Sequence, residues 1–241
     1  EAAPPDLSSV GATHCIHAAW YTNHADYLVH EVNREWTSAS LRLADAFFDT
    51  GGKRFVGIGT CLEYDVANAN GPCSEDRTPL RPETVYARCK LDLFELLRKR
   101  GGNFAWARVF FVYGPGDRAG RLVPRMIEQL SRGEPAGATY GGLRRDYIHV
   151  DDLAGQLVRI VACDLRGAIN TGTGQSPTLS EMFAAGAKAF GTPDLALANS
   201  ETGDQPPLIQ ADMTRFRTHV GDLLARSFEA GIRASLPAVR A

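Results

Sequence analysis

Two pieces of sequence decide the fold: Phe55-Val56-Gly57-Ile58-Gly59-Thr60 and, after a polar loop, Tyr86-Ala87-Arg88-Cys89-Lys90. The first is a short apolar run closed by a hydroxyl residue, the pattern of a strand. The second heads a polar-apolar helix that runs to about Arg100, where Gly101-Gly102 stops it. Tyr86 and Lys90 are four apart, so on a helix they share one face, one turn from each other. A lone phenol, titrating near ~10, is a poor acid or base at neutral pH. An ammonium within a few ångströms favours the phenolate. A hydroxyl such as Thr60, arriving from the strand end, can bond the phenol and a substrate oxygen together. The three form a proton-transfer unit suited to interconverting a carbinol and a carbonyl beside a hydride acceptor. A bare Tyr-x-x-x-Lys also arises as a surface tyrosine beside a solvated lysine, so the surrounding sequence decides between the two.

That sequence contains His17-Ala18-Ala19, the strand ending at Thr60 with Tyr64 four residues on, and Pro82-Glu83-Thr84-Val85-Tyr86 leading into Lys90. Further on come Arg108-Val109-Phe110-Phe111-Val112-Tyr113-Gly114-Pro115-Gly116, Arg145-Asp146-Tyr147-Ile148-His149-Val150-Asp151-Asp152 and Gly167-Ala168-Ile169-Asn170-Thr171-Gly172. In order and spacing these pieces resemble the extended branch of the short-chain dehydrogenase/reductase superfamily, over nearly the whole chain. That branch comprises NAD(P)-dependent sugar epimerases, dehydratases and reductases. The resemblance implies an α/β fold: a doubly wound Rossmann-type parallel sheet, here without its first strands, and a smaller C-terminal α+β substrate lobe. The expected division is 1–172 and 173–241, with residues 113–145 reaching over to the lobe. It implies Thr60, Tyr86 and Lys90 as catalytic residues, with Lys90 also bonding the nicotinamide ribose of NAD or NADP. Ala18, Ala19 and Tyr113 are expected near the same cofactor, and Trp20, Phe111, Arg121 and Arg145 near the substrate. The implied activity is epimerisation or 4-ketoreduction of a nucleotide-activated sugar. Reduction of a non-sugar carbonyl and a non-catalytic NAD(P)-fold binding protein are the alternatives.

The composition bounds these readings. The chain has 241 residues, 44% hydrophobic and 22% charged, an ordinary globular balance. A net charge of -2 gives no basic footprint for nucleic acid. No apolar run approaches the ~20 residues of a membrane span. The five cysteines are scattered without a C-x-x-C pair. This argues for reduced thiols, a cytoplasmic setting and no zinc site. His14 and His17 are read as packing or turn residues, since no carboxylate or cysteine pair stands at ligand spacing. A homodimer is left open. The glycine-rich G-x-x-G-x-x-G loop that would cradle the cofactor pyrophosphate is not in this sequence. At roughly 30 residues per βα unit, the lost part would be about two units. The Pro-rich residues 1–12 are read as the tail of that part, so the chain is expected to be the downstream portion of a longer protein.

Along the chain, Ala25 to Asp49 reads as a helix with Leu41, Leu43, Ala44, Phe47 and Phe48 on its apolar face. The resemblance implies an asparagine in this helix that helps organise the site; Asn33 is the only candidate, but its spacing to Leu41-Arg42-Leu43 is a few residues off and no role is assigned to it. Asn103 to Phe111 reads as one strand. Trp20 and Tyr21 either border the ligand or cap the core. Departures from the resembled family cluster on the substrate side. Thr60 is followed by Cys61-Leu62 and not by an acidic pair, which weakens a 4,6-dehydratase reading; Glu63 is the nearest acid and stands two positions late. Phe111 and Arg121 occupy positions usually held by asparagine, and Glu201 replaces an arginine suited to a diphosphate. Arg145 stays as the phosphate-binding candidate, against the alternative that Arg144 and Arg145 form a surface salt bridge.

Overall fold

The computed structural model describes residues 6–223 and 225–236. Pro4 and Pro5 of the Pro-rich start, and the two ends of the expected domain division, lie outside them. The elements are β1 (His14–His17), α1 (Val32–Asp49), β2 (Arg54–Thr60), α2 (Val85–Arg100), β3 (Phe104–Val109), β4 (Phe111–Tyr113), α3 (Leu122–Ser131), β5 (Arg144–Arg145), β6 (Tyr147–His149), α4 (Val150–Ala162), β7 (Gly167–Thr171), α5 (Leu179–Phe190), β8 (Leu208–Ile209), α6 (Thr214–His219) and α7 (Phe228–Ser235).

Four strands form a parallel sheet in the order β1-β2-β3-β7. All of β3 is buried, as a strand covered on both faces must be. Its side chains alternate between two cores. Phe104 and Trp106 pack with Phe47, Phe55, Leu93 and Leu97 under α1 and α2. Ala105 and Ala107 pack with Val56, Ile160, Ile169 and Phe216 on the opposite face. The sheet is thus doubly wound. Trp106 explains the two glycines of β2, because a Cβ at Gly57 would stand 2.5 Å from its ring.

Two expectations are corrected by tertiary contacts. The helix expected from Ala25 starts only at Val32. The preceding residues form a turn whose carbonyls are taken elsewhere: Asn33 Nδ2 donates to the Tyr27 and His30 carbonyls, and the Tyr86 N–H donates to that of Leu28. The strand expected over Asn103 to Phe111 breaks at Phe110. Beyond the break, β4 leaves the sheet and pairs with β6. Tyr113, Val123, Met126 and Leu130 share a core with Leu179, Phe183 and Ile232, whereas Ile209, Ala211, Met213 and Phe216 pack against the sheet. Among the described residues no helix is long and apolar enough to cross a membrane.

Candidate active site

The carboxyl ends of β1, β2 and β3 open into a cleft of about 430 Å³, the position where open α/β sheets take their ligands. Thr60 is the last residue of β2. Its hydroxyl caps the 3-10 turn Cys61–Glu63 by accepting the Leu62 N–H, and the Glu63 carboxylate answers by accepting the Thr60 N–H at 2.9 Å. This reciprocal cap holds the strand end rigid. Helix α2 begins under its own cap, Thr84, and delivers Tyr86 and Lys90 to the cleft from one face.

Lys90 is 3% exposed. Its Nζ donates to the Ile58 carbonyl at 2.8 Å and lies 3.7 Å from the centroid of the Trp20 ring. Burial pulls its pKa down to about 7, against the attraction of Glu63. Burial pushes the Tyr86 phenol above its ordinary value, neighbouring Tyr27, Glu63 and Cys61 add to this, and hydrogen bonding with Thr60 pulls the other way. The expectation that Lys90 lowers the tyrosine pKa is therefore outweighed in this arrangement. The lysine charge is itself desolvated, stands 5.8 Å from the Tyr86 ring centroid, and is directed at Ile58 and Trp20. His17 is held to about 4 by burial and by Lys90, and its Nε2 pairs with the Ser40 hydroxyl at 2.7 Å.

The aromatic wall is fixed by one buried side chain. Asn33 Oδ1 accepts the Trp20 indole N–H at 2.7 Å while its amide holds the Tyr27 and His30 carbonyls. Trp20 meets Tyr86 edge-on at 6.5 Å, and Tyr27 does so at 5.2 Å. Asn33 thus organises the wall, which its spacing alone did not show.

The cleft gathers Ala18, Trp20, Thr60, Tyr86, Lys90, Phe111 and Arg121. Ala19, Tyr113 and Arg145 are not among its lining residues. Tyr113 is buried in the core under α3 and α5, against Phe228 at 4.9 Å. Arg145 is buried behind Phe111, 6.0 Å from that ring, and its guanidinium donates to the Arg144 carbonyl and to Gln205. The surface-salt-bridge alternative for it is excluded by that burial. Sequence reasoning missed Thr22, His24, Tyr27, Asp117 and Arg118, which also line the cleft. Arg118 donates to Thr22, and Arg121 pairs with Asp117 at 3.0 Å. The turn after Tyr113 was the available signal, since loops at strand ends carry ligand contacts.

Glu63 lies in the core beneath the cleft and does not face it. It is fully buried and ion-paired to Arg108 at 2.8 Å, with the Trp106 indole N–H on the same carboxylate. Among the described residues no three metal-ligating side chains cluster.

CDP-abequose synthase of Salmonella muenchen is 30% identical over 79 residues, 32% of this chain and 27% of that protein. UDP-glucuronic acid decarboxylase 6 of Arabidopsis thaliana is 30% identical over 133 residues, 54% of this chain and 38% of that protein. The matches thus span well under half of these relatives. Among solved structures, the NAD-dependent NDP-hexosamine 5,6-dehydratase TunA of tunicamycin biosynthesis superposes with TM-score 0.77 at 25% identity, covering 95% of this chain and 77% of that one. UDP-N-acetylglucosamine 4-epimerase of Methanobrevibacter ruminantium shares the fold, with TM-score 0.82 at 21% identity over 96% of this chain and 78% of its own. A sequence model of the NAD dependent epimerase/dehydratase family matches residues 7–172. With strand ends, helix α2 and cleft all inside that span, the chain belongs to the NAD dependent epimerase/dehydratase family.

Proposed function

We propose that this chain carries the proton-transfer machinery of an NAD(P)-dependent epimerase or 4-ketoreductase acting on a nucleotide-activated sugar. The observation that carries the proposal is the meeting of Thr60, Tyr86 and Lys90 in one cleft at the carboxyl ends of parallel strands. The residues suit the nicotinamide-ribose end of the cofactor. Ala18 lines the cleft with a methyl group alone, and Lys90 keeps two N–H donors after serving Ile58. Bound there, nicotinamide supplies a hydride acceptor and donor.

The chain's own residues do the rest. Tyr86, kept neutral by burial, gives its proton to a substrate carbonyl oxygen in reduction and takes it back in oxidation. Thr60 orients that oxygen, and the Lys90 charge favours the phenolate half of the cycle. Arg118 and Arg121, lining the same cleft, suit the phosphates of a nucleotide sugar. Glu63, turned into the core, offers no acid to a leaving hydroxyl, which favours epimerisation or ketoreduction over 4,6-elimination. The relatives named for CDP-abequose and UDP-glucuronic acid support a nucleotide-sugar substrate.

One observation favours a second reading. With Arg145 withdrawn behind Phe111, the cleft wall is rich in Trp20, Tyr21, Tyr27 and Phe111, which suits a non-sugar carbonyl. The test, on the full-length protein, is a panel of UDP-, GDP-, CDP- and dTDP-sugars with NAD or NADP, followed by NMR of the sugar and by thermal shift. One sugar is expected to be converted, and Tyr86→Phe should lower turnover by about 10²-fold or more with cofactor affinity unchanged. Turnover by Tyr86→Phe within a few-fold of the parent would remove Tyr86 from the mechanism. Silence across the whole panel would leave the non-sugar reductase as the better reading.

A further inference from the structure

We infer that Glu63 is a positioning residue of this site: its buried carboxylate, fixed by Arg108 and Trp106, anchors the turn that presents Thr60 and supplies the counter-charge to Lys90, which grips the same end of β2. The inference rests on the reading of Tyr86 and Lys90 as the proton-transfer pair. It adds a residue that touches neither substrate nor cleft.

Four donor contacts define the carboxylate. Oε1 accepts the Thr60 N–H at 2.9 Å and the Trp106 indole N–H at 3.0 Å; Oε2 accepts Arg108 Nε at 2.8 Å and the same indole at 3.2 Å. Glu63 and Arg108 are 0% and 1% exposed, so solvent screens neither. The carboxylate packs against β2. A Cβ on Gly59 would stand 2.5 Å from Glu63 Oε1, so the strand admits the carboxylate only because residue 59 has no side chain. Gly59 lies between Ile58, whose carbonyl takes the Lys90 ammonium, and Thr60, whose N–H the carboxylate takes. One peptide stretch is thus held by a cation and an anion.

Among the described residues, the other groups around Lys90 do not supply a negative charge. From β1 comes His17, kept neutral at pH 7. Trp20 presents a ring face, and Tyr86 on the lysine's own helix presents a phenol that burial keeps protonated. From α1 come the hydroxyls of Thr37, which donates to the Cys89 carbonyl, and Ser40, which holds His17. From β3 comes Arg108, committed to Glu63 and to the Tyr64 hydroxyl. Glu63 is therefore the anion that opposes the cost of burying the Lys90 charge.

The experiment reads Lys90 directly and needs no substrate. The sequence contains four lysines, Lys53, Lys90, Lys99 and Lys188, and Lys90 alone of them is buried. In protein labelled at lysine 13Cε, each side chain is titrated by NMR, with Lys90 assigned by its loss in Lys90→Arg. Glu63→Gln keeps the shape and removes the charge. The Lys90 resonance is expected to titrate below the other three, and to lose at least about tenfold more proton affinity in Glu63→Gln, as expected for a charge removed from a buried site. Where Glu63→Gln does not fold because Arg108 is left unpaired, Glu63→Gln/Arg108→Gln removes both charges together and should shift Lys90 in the same direction. A Lys90 titration unmoved in the folded variant overturns the inference, whatever the turnover of Tyr86→Phe. An unmoved titration together with an active enzyme would assign Glu63 a packing role only.

Discussion

Lys90→Met replaces the buried ammonium with an unbranched apolar chain one atom shorter, and the structure fixes how stability should then depend on pH. Burial lowers the Lys90 pKa from 10.5 to about 7. The unfolded chain therefore binds more protons than the native one between those values, so this group makes stability rise with pH through that window and level off below about 7. A full proton difference is worth about 1.4 kcal/mol per pH unit. Because the native lysine is half titrated at the lower end, the gain from about pH 7 to about pH 8.5 is about 1.5 kcal/mol. The thiols of Cys61 and Cys73 are pushed up by burial from 9.0 and oppose the trend only at higher pH, which sets the upper limit. The assay is urea unfolding of both proteins under reducing conditions across this range, comparing the difference between them at each pH. Groups common to both cancel in that difference. The parent protein should gain about 1.5 kcal/mol on Lys90→Met over the range. Parallel curves would mean that Lys90 titrates alike in the folded and unfolded chain, and the account of a desolvated lysine would be refuted.

Two further outcomes follow from the core beneath the site. Glu63→Ala leaves the Arg108 guanidinium buried without its partner and should cost about 3–5 kcal/mol in urea unfolding, whereas Glu63→Leu/Arg108→Met should recover most of that loss; equal losses in the two would show that packing and not charge dominates. Gly59→Ala drives a methyl into Trp106 and Glu63 and should cost about 1–3 kcal/mol with a shift in tryptophan fluorescence, and a variant as stable as the parent would show that the carboxylate is not seated against β2.

The sequence by itself determined the parallel strands, helix α2 and the meeting of Thr60, Tyr86 and Lys90 in one cleft. These depend on local spacing: an apolar run ending at Thr60, and two side chains one helical turn apart, keep their relation whatever else the chain does. The substrate side was less legible. Phe111 and Arg121 reach the cleft as expected, but Arg145 is turned behind Phe111, and Tyr113 enters the core under α3 and α5 because β4 leaves the sheet to pair with β6. The tertiary structure alone decided the direction of Glu63, which depends on Arg108, 45 residues away, and the seat of Trp20 over Lys90, held by Asn33. The physical reason is that a buried charge or indole N–H must find a partner wherever packing brings one. The partners of Glu63 and Arg54 lie up to 106 residues off along the chain, beyond the reach of any helical or strand periodicity.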